Sequence, residues 1–331
     1  MAGKPGEFDL ISTYFAPLTG DAPGAFGLAD DAAVIAPPAG MEVAVTTDAM
    51  VAGVHFLADD PADAVAAKLL AVNLSDLAAM GAEPHAYTLA TAWPRGIQPA
   101  WIEAFAGGLK AAQEAGGIVL VGGDTVATAG PMTLSLTAFG FVPPGEALRR
   151  GSAKPGERVY VSGSIGDAAL GLRLLLAEIG AGCDAADRAR LIGRYRQPTP
   201  RNALGVALRG LASSAIDISD GLAVDLGHVA AGADVDIDID AAAIPLSEAA
   251  RRLVAQEPDC AGYLYAGDDY ELAFTAPPSA DPALRDLTRR LDLPITAIGE
   301  VTAPAGAAGT VRVLDGTGAE IDTGGAGYRH F

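Results

Sequence analysis

Between Met41 and Phe141, short apolar or alternating runs are separated by longer stretches whose apolar positions recur at helical spacing. MEVAVTTD predicts a strand, Pro61 to Met80 a helix, AYTLATAW a strand, Trp101 to Ala115 a helix, and GIVLVGGD and MTLSLTAFGFV two further strands. Asp60 stands where an N-cap belongs and Gly81 where a helix stops, so the first helix has defined ends. The run PPGEALRRGSAKPGE, Pro143 to Glu157, is rich in proline, glycine and charge and reads as a linker.

A second α/β stretch follows. RVYVSGSIG predicts a strand and turn, DAALGLRLLLAEIG a helix, and SSAIDISD and VDIDID strands. YLYAGDDYELAFTA predicts a strand broken by a turn, PITAIGEV another strand, and helices are expected around Leu204 to Leu211 and Leu284 to Leu291. At 331 residues the chain is long for one core and suits two, divided as 1–146 and 147–331.

Composition narrows what such a protein handles. Half of its residues are hydrophobic and 19% are charged, which describes a folded protein with sizeable cores. A net charge of −19 argues against a nucleic-acid surface. Its only lysines are Lys4, Lys68, Lys110 and Lys154, so phosphate, if bound, must be neutralised largely by divalent cations. Cys183 and Cys260 are too few for a disulfide framework or zinc cage, the N-terminus lacks a signal-peptide pattern, and no apolar run reaches membrane-spanning length. These features predict a cytoplasmic protein that does not engage a membrane.

The candidate chemistry lies in apolar strands that end in aspartate: AVTTD (Thr46, Thr47, Asp48), VLVGGD (Gly122, Gly123, Asp124) and SAIDISD (Asp217, Ser219, Asp220). Ligand sites form at strand ends in α/β sheets, and carboxylates gathered there repel unless cations separate them. Hard oxygen donors suit Mg2+, which also bridges to phosphates. Asp30 and Asp31 in GLADDAAV add an acidic pair, and Asp76 shares a face with Asn73 in the otherwise apolar helix KLLAVNLSDLAAMGA. A carboxylate there needs a partner or a cation. Asp236, Asp238 and Asp240 alternate along VDIDID and read as a solvated sheet face or a protected edge. His228 reads as structural. No GxxxxGK[ST] loop is present, and no GxGxxG follows a strand, so bound ATP would not rest on either turn. Arg150, in the linker, is the cation expected to reach a phosphate.

GEFDLISTYF, the acidic pair of GLADDAAV, TTDAMVAGVHF, AVNLSDLAAMGA, GGDT, SAIDISDGL, GDDYELAF and the closing GYRHF stand in the order found in thiamine-monophosphate kinases, and the chain resembles that family throughout. The family is grouped with aminoimidazole ribonucleotide synthetase, selenophosphate synthetase and a hydrogenase-maturation protein. The resemblance implies an α/β, two-domain fold of the aminoimidazole ribonucleotide synthetase type, an N-terminal mixed sheet with helices joining its copy in a homodimer barrel, and a C-terminal α/β domain completing the active site. It implies transfer of the ATP γ-phosphoryl group to thiamine monophosphate. By the same resemblance Asp31, Thr46, Thr47, Asp48, Asp76, Asp124, Asp217 and Asp220 would be magnesium ligands, Gly123, Asp124, Arg150 and Ser219 would contact nucleotide, and His55, Asp268 and Gly325 would meet the substrate.

This chain departs from the family pattern at three positions: Asp268 stands in GDDYE where relatives usually have glutamate, Gly325 where some place an aromatic, and Ala106 where many carry tyrosine. Phosphoryl transfer to a phosphate acceptor needs no general base, because the nucleophile is already an ionised oxygen. Four alternatives compete with this reading. A selenophosphate synthetase would be expected to carry a cysteine near its start, a hydrogenase-maturation relative would end in cysteine, and an aminoimidazole ribonucleotide synthetase would release inorganic phosphate. A non-catalytic metal-binding protein would leave TTD, GGDT and Asp76 without a common purpose.

Overall fold

The computed structural model describes residues 7–258, 262, 265–304, 306 and 309–321; Cys260, Gly325 and the closing GYRHF lie outside the described residues. The chain divides into two compact units. The first runs to Gly145 apart from Ala78–Gly81; the second comprises Ala78–Gly81 and the residues from Glu146 onward.

The first unit holds α1 (Glu7–Leu10), β1 (Glu42–Val51), α2 (Ala62–Ala79), β2 (Glu83–Pro94), α3 (Pro99–Gly116), β3 (Val119–Thr128) and β4 (Thr133–Val142). Its four-stranded sheet has the order β1-β4-β2-β3, with β1 and β2 antiparallel to β4. β2 and β3 pair in parallel, and α3 supplies the crossover that a parallel pair requires. α2 is apolar nearly all round, and Val65, Leu69, Leu70 and Leu77 are buried along it. It stops where expected, with Gly81 in the left-handed region at φ 66°. α3 is fixed to β2 by aromatic packing, Trp93 against Phe105 at 5.6 Å and edge-on to Trp101 at 5.7 Å.

Two aspartates do not end their strands. β1 continues past Asp48 because its pairing with β4 extends to Val51, and β3 continues past Asp124 because its ladder with β2 extends to Thr128. Backbone hydrogen bonding, rather than the arrival of a carboxylate, sets both ends.

The second unit holds β5 (Arg158–Ser162), α4 (Asp167–Leu175), α5 (Ala185–Arg196), α6 (Asn202–Ala207), β6 (Ser214–Asp217), α7 (Leu222–Ala233), β7 (Asp236–Asp240), α8 (Glu248–Gln256), β8 (Leu272–Ala276), α9 (Asp281–Leu291), β9 (Ile295–Thr302) and β10 (Val311–Leu314). Its six-stranded sheet has the order β10-β7-β9-β5-β8-β6 and is buried on both faces. Val159, Val161, Ile216 and Ile237 pack with Leu226 and Val229 of α7 on one face. Tyr160, Ala215 and Phe274 pack with Leu204, Leu284 and Leu287 on the other. Alternate residues of one strand thus enter different cores, as the two-residue repeat of a strand requires.

Three expectations are corrected here. VDIDID is not an edge and is solvated only at its end: β7 lies between β10 and β9, Asp236 is buried and accepts from Thr310 N, half-buried Asp238 pairs with Arg312 of β10 at 2.6 Å, and Asp240 is exposed as expected. The Pro143 to Glu157 run is not free linker throughout, since Leu148 and Ala153 are buried in the cores of the second unit. Within YLYAGDDYELAFTA, only Leu272–Ala276 is a strand among the described residues, because the GDDYE backbone bonds to a loop instead of a sheet neighbour.

Candidate functional site

In the first unit, β1 and α2 bring three of the expected residues together. The Thr46 hydroxyl donates to Asp76 Oδ2, and the Asp48 backbone N–H donates to Asn73 Oδ1 at 3.2 Å. Asn73, fully buried, is held in turn by its own Nδ2 donating to Leu69 O at 3.0 Å. The Asp48 carboxyl is pushed up to about 7, first by burial and then by the charge of Asp76 and a hydrogen bond with it. Thr46 and Thr47 face opposite sides of β1. Alternation turns Thr47 to the opposite face, where its hydroxyl meets Thr137 Oγ1 at 2.6 Å.

A second cluster lines a cavity of about 330 Å3, where Asp30 and Asp31 face Gly122, Gly123 and Asp124 across a floor that includes Phe15 and Leu120. Both acidic loop residues and Asp124 are exposed; Asp124 Oδ1 accepts from Thr125 N at 2.8 Å. The two glycines differ. A Cβ at Gly123 would lie 2.0 Å from Leu89 O, whereas one at Gly122 would meet only Thr88 Cγ2 at 3.5 Å. Gly123→Ala should therefore destabilise the protein by about 1–3 kcal/mol, and Gly122→Ala should melt close to wild type; thermal denaturation of the pair checks this. His55, half-buried, accepts the Val51 N–H at Nδ1 (3.0 Å), so its ring is fixed with Nε2 as the other contact point.

In the second unit, β6 ends at buried Asp217, and the turn carrying Ser219 and Asp220 leads into α7. Asp225, which the sequence reading passed over, holds that turn: its Oδ2 accepts from the backbone N–H of Ser219, Asp220 and Gly221, each at 3.0 Å. Burial nevertheless pushes its carboxyl up to about 7. The spacing of DGLAVD, an acid one turn inside a helix start, is the signal that could have exposed it. The Arg150 side chain is exposed, and its carbonyl accepts from the Ser214 hydroxyl at 2.5 Å.

Asp268, half-buried, lies beside the turn, with its N–H bonded to Ser219 O at 2.7 Å. Its neighbours Asp269 and Glu271 are wholly buried. Asp269 accepts from Gly166 N at 2.7 Å and Ala168 N at 3.3 Å, and burial pushes it up to about 8 from 3.8. A carboxyl with a raised folded-state value stabilises the fold below its ordinary value, and that contribution is lost as pH rises through about 8. Asp269→Asn, uncharged throughout, should therefore flatten the fall in stability between pH 4 and 8, by up to about 1.4 kcal/mol per pH unit. Calorimetry across that range checks it.

Among the described residues, no three His, Cys, Asp or Glu side chains converge closely enough to hold a metal by themselves. The donor chemistry does fit one. Asp48 and Asp76 are like charges pressed together in a partly buried setting that raises the Asp48 carboxyl, and hard oxygens so placed suit a divalent cation.

Two mixed α/β units, each carrying oxygen-rich turns, define a two-domain protein related to AIR synthase: residues 29–142 match the AIR synthase related protein N-terminal domain and residues 154–312 its C-terminal domain. The chain is 44% identical to the thiamine-monophosphate kinase of Escherichia coli strain K12, over 98% of both chains. The crystal structure of the thiamine-monophosphate kinase of Stenotrophomonas maltophilia K279a superposes with a TM-score of 0.79 at 44% identity, covering 86% of this chain and 89% of that one. AaThiL, solved in complex with AMPPCP and TMP, superposes with a TM-score of 0.76 at 30% identity, covering 98% and 97%. The chain belongs to the thiamine-monophosphate kinase family.

Proposed function

We propose that the protein transfers the γ-phosphoryl group of ATP to thiamine monophosphate, giving thiamine diphosphate. The observation that carries this reading is 44% identity spread over 98% of both chains with the Escherichia coli enzyme. The AaThiL complex with AMPPCP, an ATP analogue, and TMP supports the same pair of substrates.

Thr46, Asp48 and Asp76 would hold magnesium on one side of β1, with Asp31, Thr47 and Asp124 in the same unit and Asp217 and Asp220 in the second adding further ligands. Magnesium bound by these oxygens neutralises and orients phosphate groups. Gly123, Asp124, Arg150 and Ser219 contact the nucleotide, while His55, Asp268 and Gly325 meet the substrate. The acceptor oxygen is already ionised, so the chain's task is to bring two polyanions in line, and no side chain needs to remove a proton. Residues 1–146 would form the metal, ATP and dimerisation domain, and 147–331 would complete the site. As an ATP-consuming enzyme it would work in the cytoplasm.

Val43 and Val45 stand 42% and 58% exposed on edge strand β1, an apolar edge that suits pairing with a second copy. Sedimentation at micromolar concentration should give twice the mass of one chain, and a monomer there would overturn the dimer. The activity itself is tested by phosphorus NMR of a mixture with Mg-ATP and thiamine monophosphate. A new diphosphate ester with stoichiometric ADP supports the kinase; free phosphate alone refutes it.

A further inference from the structure

The GDDYE segment carries an unusual backbone. Asp268 and Tyr270 both adopt left-handed φ, +67° and +51°, a region L residues with a side chain seldom enter, and Gly267 precedes them at +89°. Such conformations persist only where the surroundings over-determine them. Here the surroundings are visible. Asp269 and Glu271 alternate with the left-handed residues and anchor the segment from below: Asp269 on the backbone of Gly166 and Ala168, and Glu271 on Arg194 (2.9 Å), on Arg201 through Nε (2.6 Å) and Nη2 (2.5 Å), and on the Ser162 hydroxyl (2.6 Å). Arg194 also donates to the Asp269 carbonyl at 2.9 Å. On the other side, the N–H groups of Asp268 and Tyr270 donate to Ser219 O and Ile218 O, and Gly267 lies so close that a Cβ would stand 2.4 Å from Ser219 O.

We propose that Arg194, Arg201 and Glu271 are positioning residues that lock the strained GDDYE backbone against the Ser219–Asp220 turn and so set where Asp268 meets the thiamine phosphate. The inference rests on the kinase reading above. Each of the three would act through the GDDYE backbone and not by touching substrate. The bidentate fork of Arg201 matters because it resists rotation of the Glu271 carboxylate, which a lysine at the same place would not do. Asp268, a methylene shorter than the glutamate usual in relatives, has less reach with which to correct an error in its backbone.

The test is steady-state kinetics of Arg201→Lys alone and with Asp268→Ala. Turnover by the wild-type protein comes first and separates the two readings, since its absence would sink the kinase assignment itself. Given turnover, Arg201→Lys should raise KM for thiamine monophosphate about tenfold, leave KM for ATP and kcat within about twofold, and melt within a few degrees of wild type. In the Asp268→Ala background it should change KM no further, because the group it positions is gone. An unchanged KM, equal loss toward both substrates, full additivity with Asp268→Ala, or an Asp268→Ala variant that binds substrate normally would each overturn the proposal. Should Arg201→Lys fail to fold, Arg194→Lys, which loses the contact to the Asp269 carbonyl but keeps a cation beside Glu271, is held to the same criteria.

Discussion

Asp76→Ala should lower kcat by roughly three orders of magnitude at ordinary magnesium concentration while the protein stays folded. Asp76 is the acceptor of the Thr46 hydroxyl and the charge that, after burial, does most to raise the Asp48 carboxyl to about 7. On the proposed reading, a magnesium ion held by Asp48 and Asp76 would offset the repulsion between them, and both oxygens would be given to the metal. Removing Asp76 would leave Asp48 as a lone, partly buried carboxylate, with too little charge to retain the proposed magnesium against water. The fold has less to lose. The Thr46 hydroxyl forfeits an acceptor, worth about 1–3 kcal/mol if left unsatisfied, but the relief of like-charge repulsion offsets part of it. Asp76→Asn, which keeps an acceptor for Thr46, should be equally inactive and melt at or above the temperature of the metal-free wild type. Turnover within tenfold of wild type in either variant would end the metal assignment of this pair.

What the chain discloses locally, it discloses well. Strand and helix periods located β1, α2, β2, α3, β3 and β4 within a few residues, because each is long and its buried side recurs at one spacing. The residue types at Asp48 and Asp76 also pointed to a cation, though not to their hydrogen-bonded geometry, which depends on where α2 lies against the sheet. Legibility fell where a side chain's partner is remote. Asp238 looks solvated until Arg312, 74 residues away, is seen beside it, and nothing within YLYAGDDYELAFTA marks Glu271 as a buried ion until Arg201, 70 residues away, meets it. Helix α5 was missed because its buried stripe is only Leu191 and Tyr195 among charged neighbours, Asp187 apart. The strand ends were misjudged for a related reason. A carboxylate in mid-strand is tolerated where its face is open or its charge is shared, and neither condition is written in the strand itself.

Glu271→Ala should cost the second unit about 3–5 kcal/mol, the usual penalty for removing one member of a buried ionic cluster. Glu271 is 1% exposed as a side chain, and its two guanidinium partners are 13% and 18% exposed, so truncation strands two poorly hydrated cations around a void. It also takes the acceptor from the Ser162 hydroxyl, which receives the Leu272 N–H at the base of β8. Repacking cannot fill the gap cheaply, because Gly163, at φ 60°, lies against the carboxylate with no side chain to move in. Urea denaturation at neutral pH measures the loss, and a change under about 1 kcal/mol would show that the cluster is solvated in solution. The companion variant is more telling. Replacing Arg194, Arg201 and Glu271 together by apolar residues of similar size removes every stranded charge at once and should recover most of the stability, since buried ion clusters seldom outperform hydrophobic packing. It should not recover kcat/KM for thiamine monophosphate. Restored stability with lost specificity would separate the two roles of Glu271, because apolar packing can fill the space beneath GDDYE but cannot fix its backbone in register with Ser219.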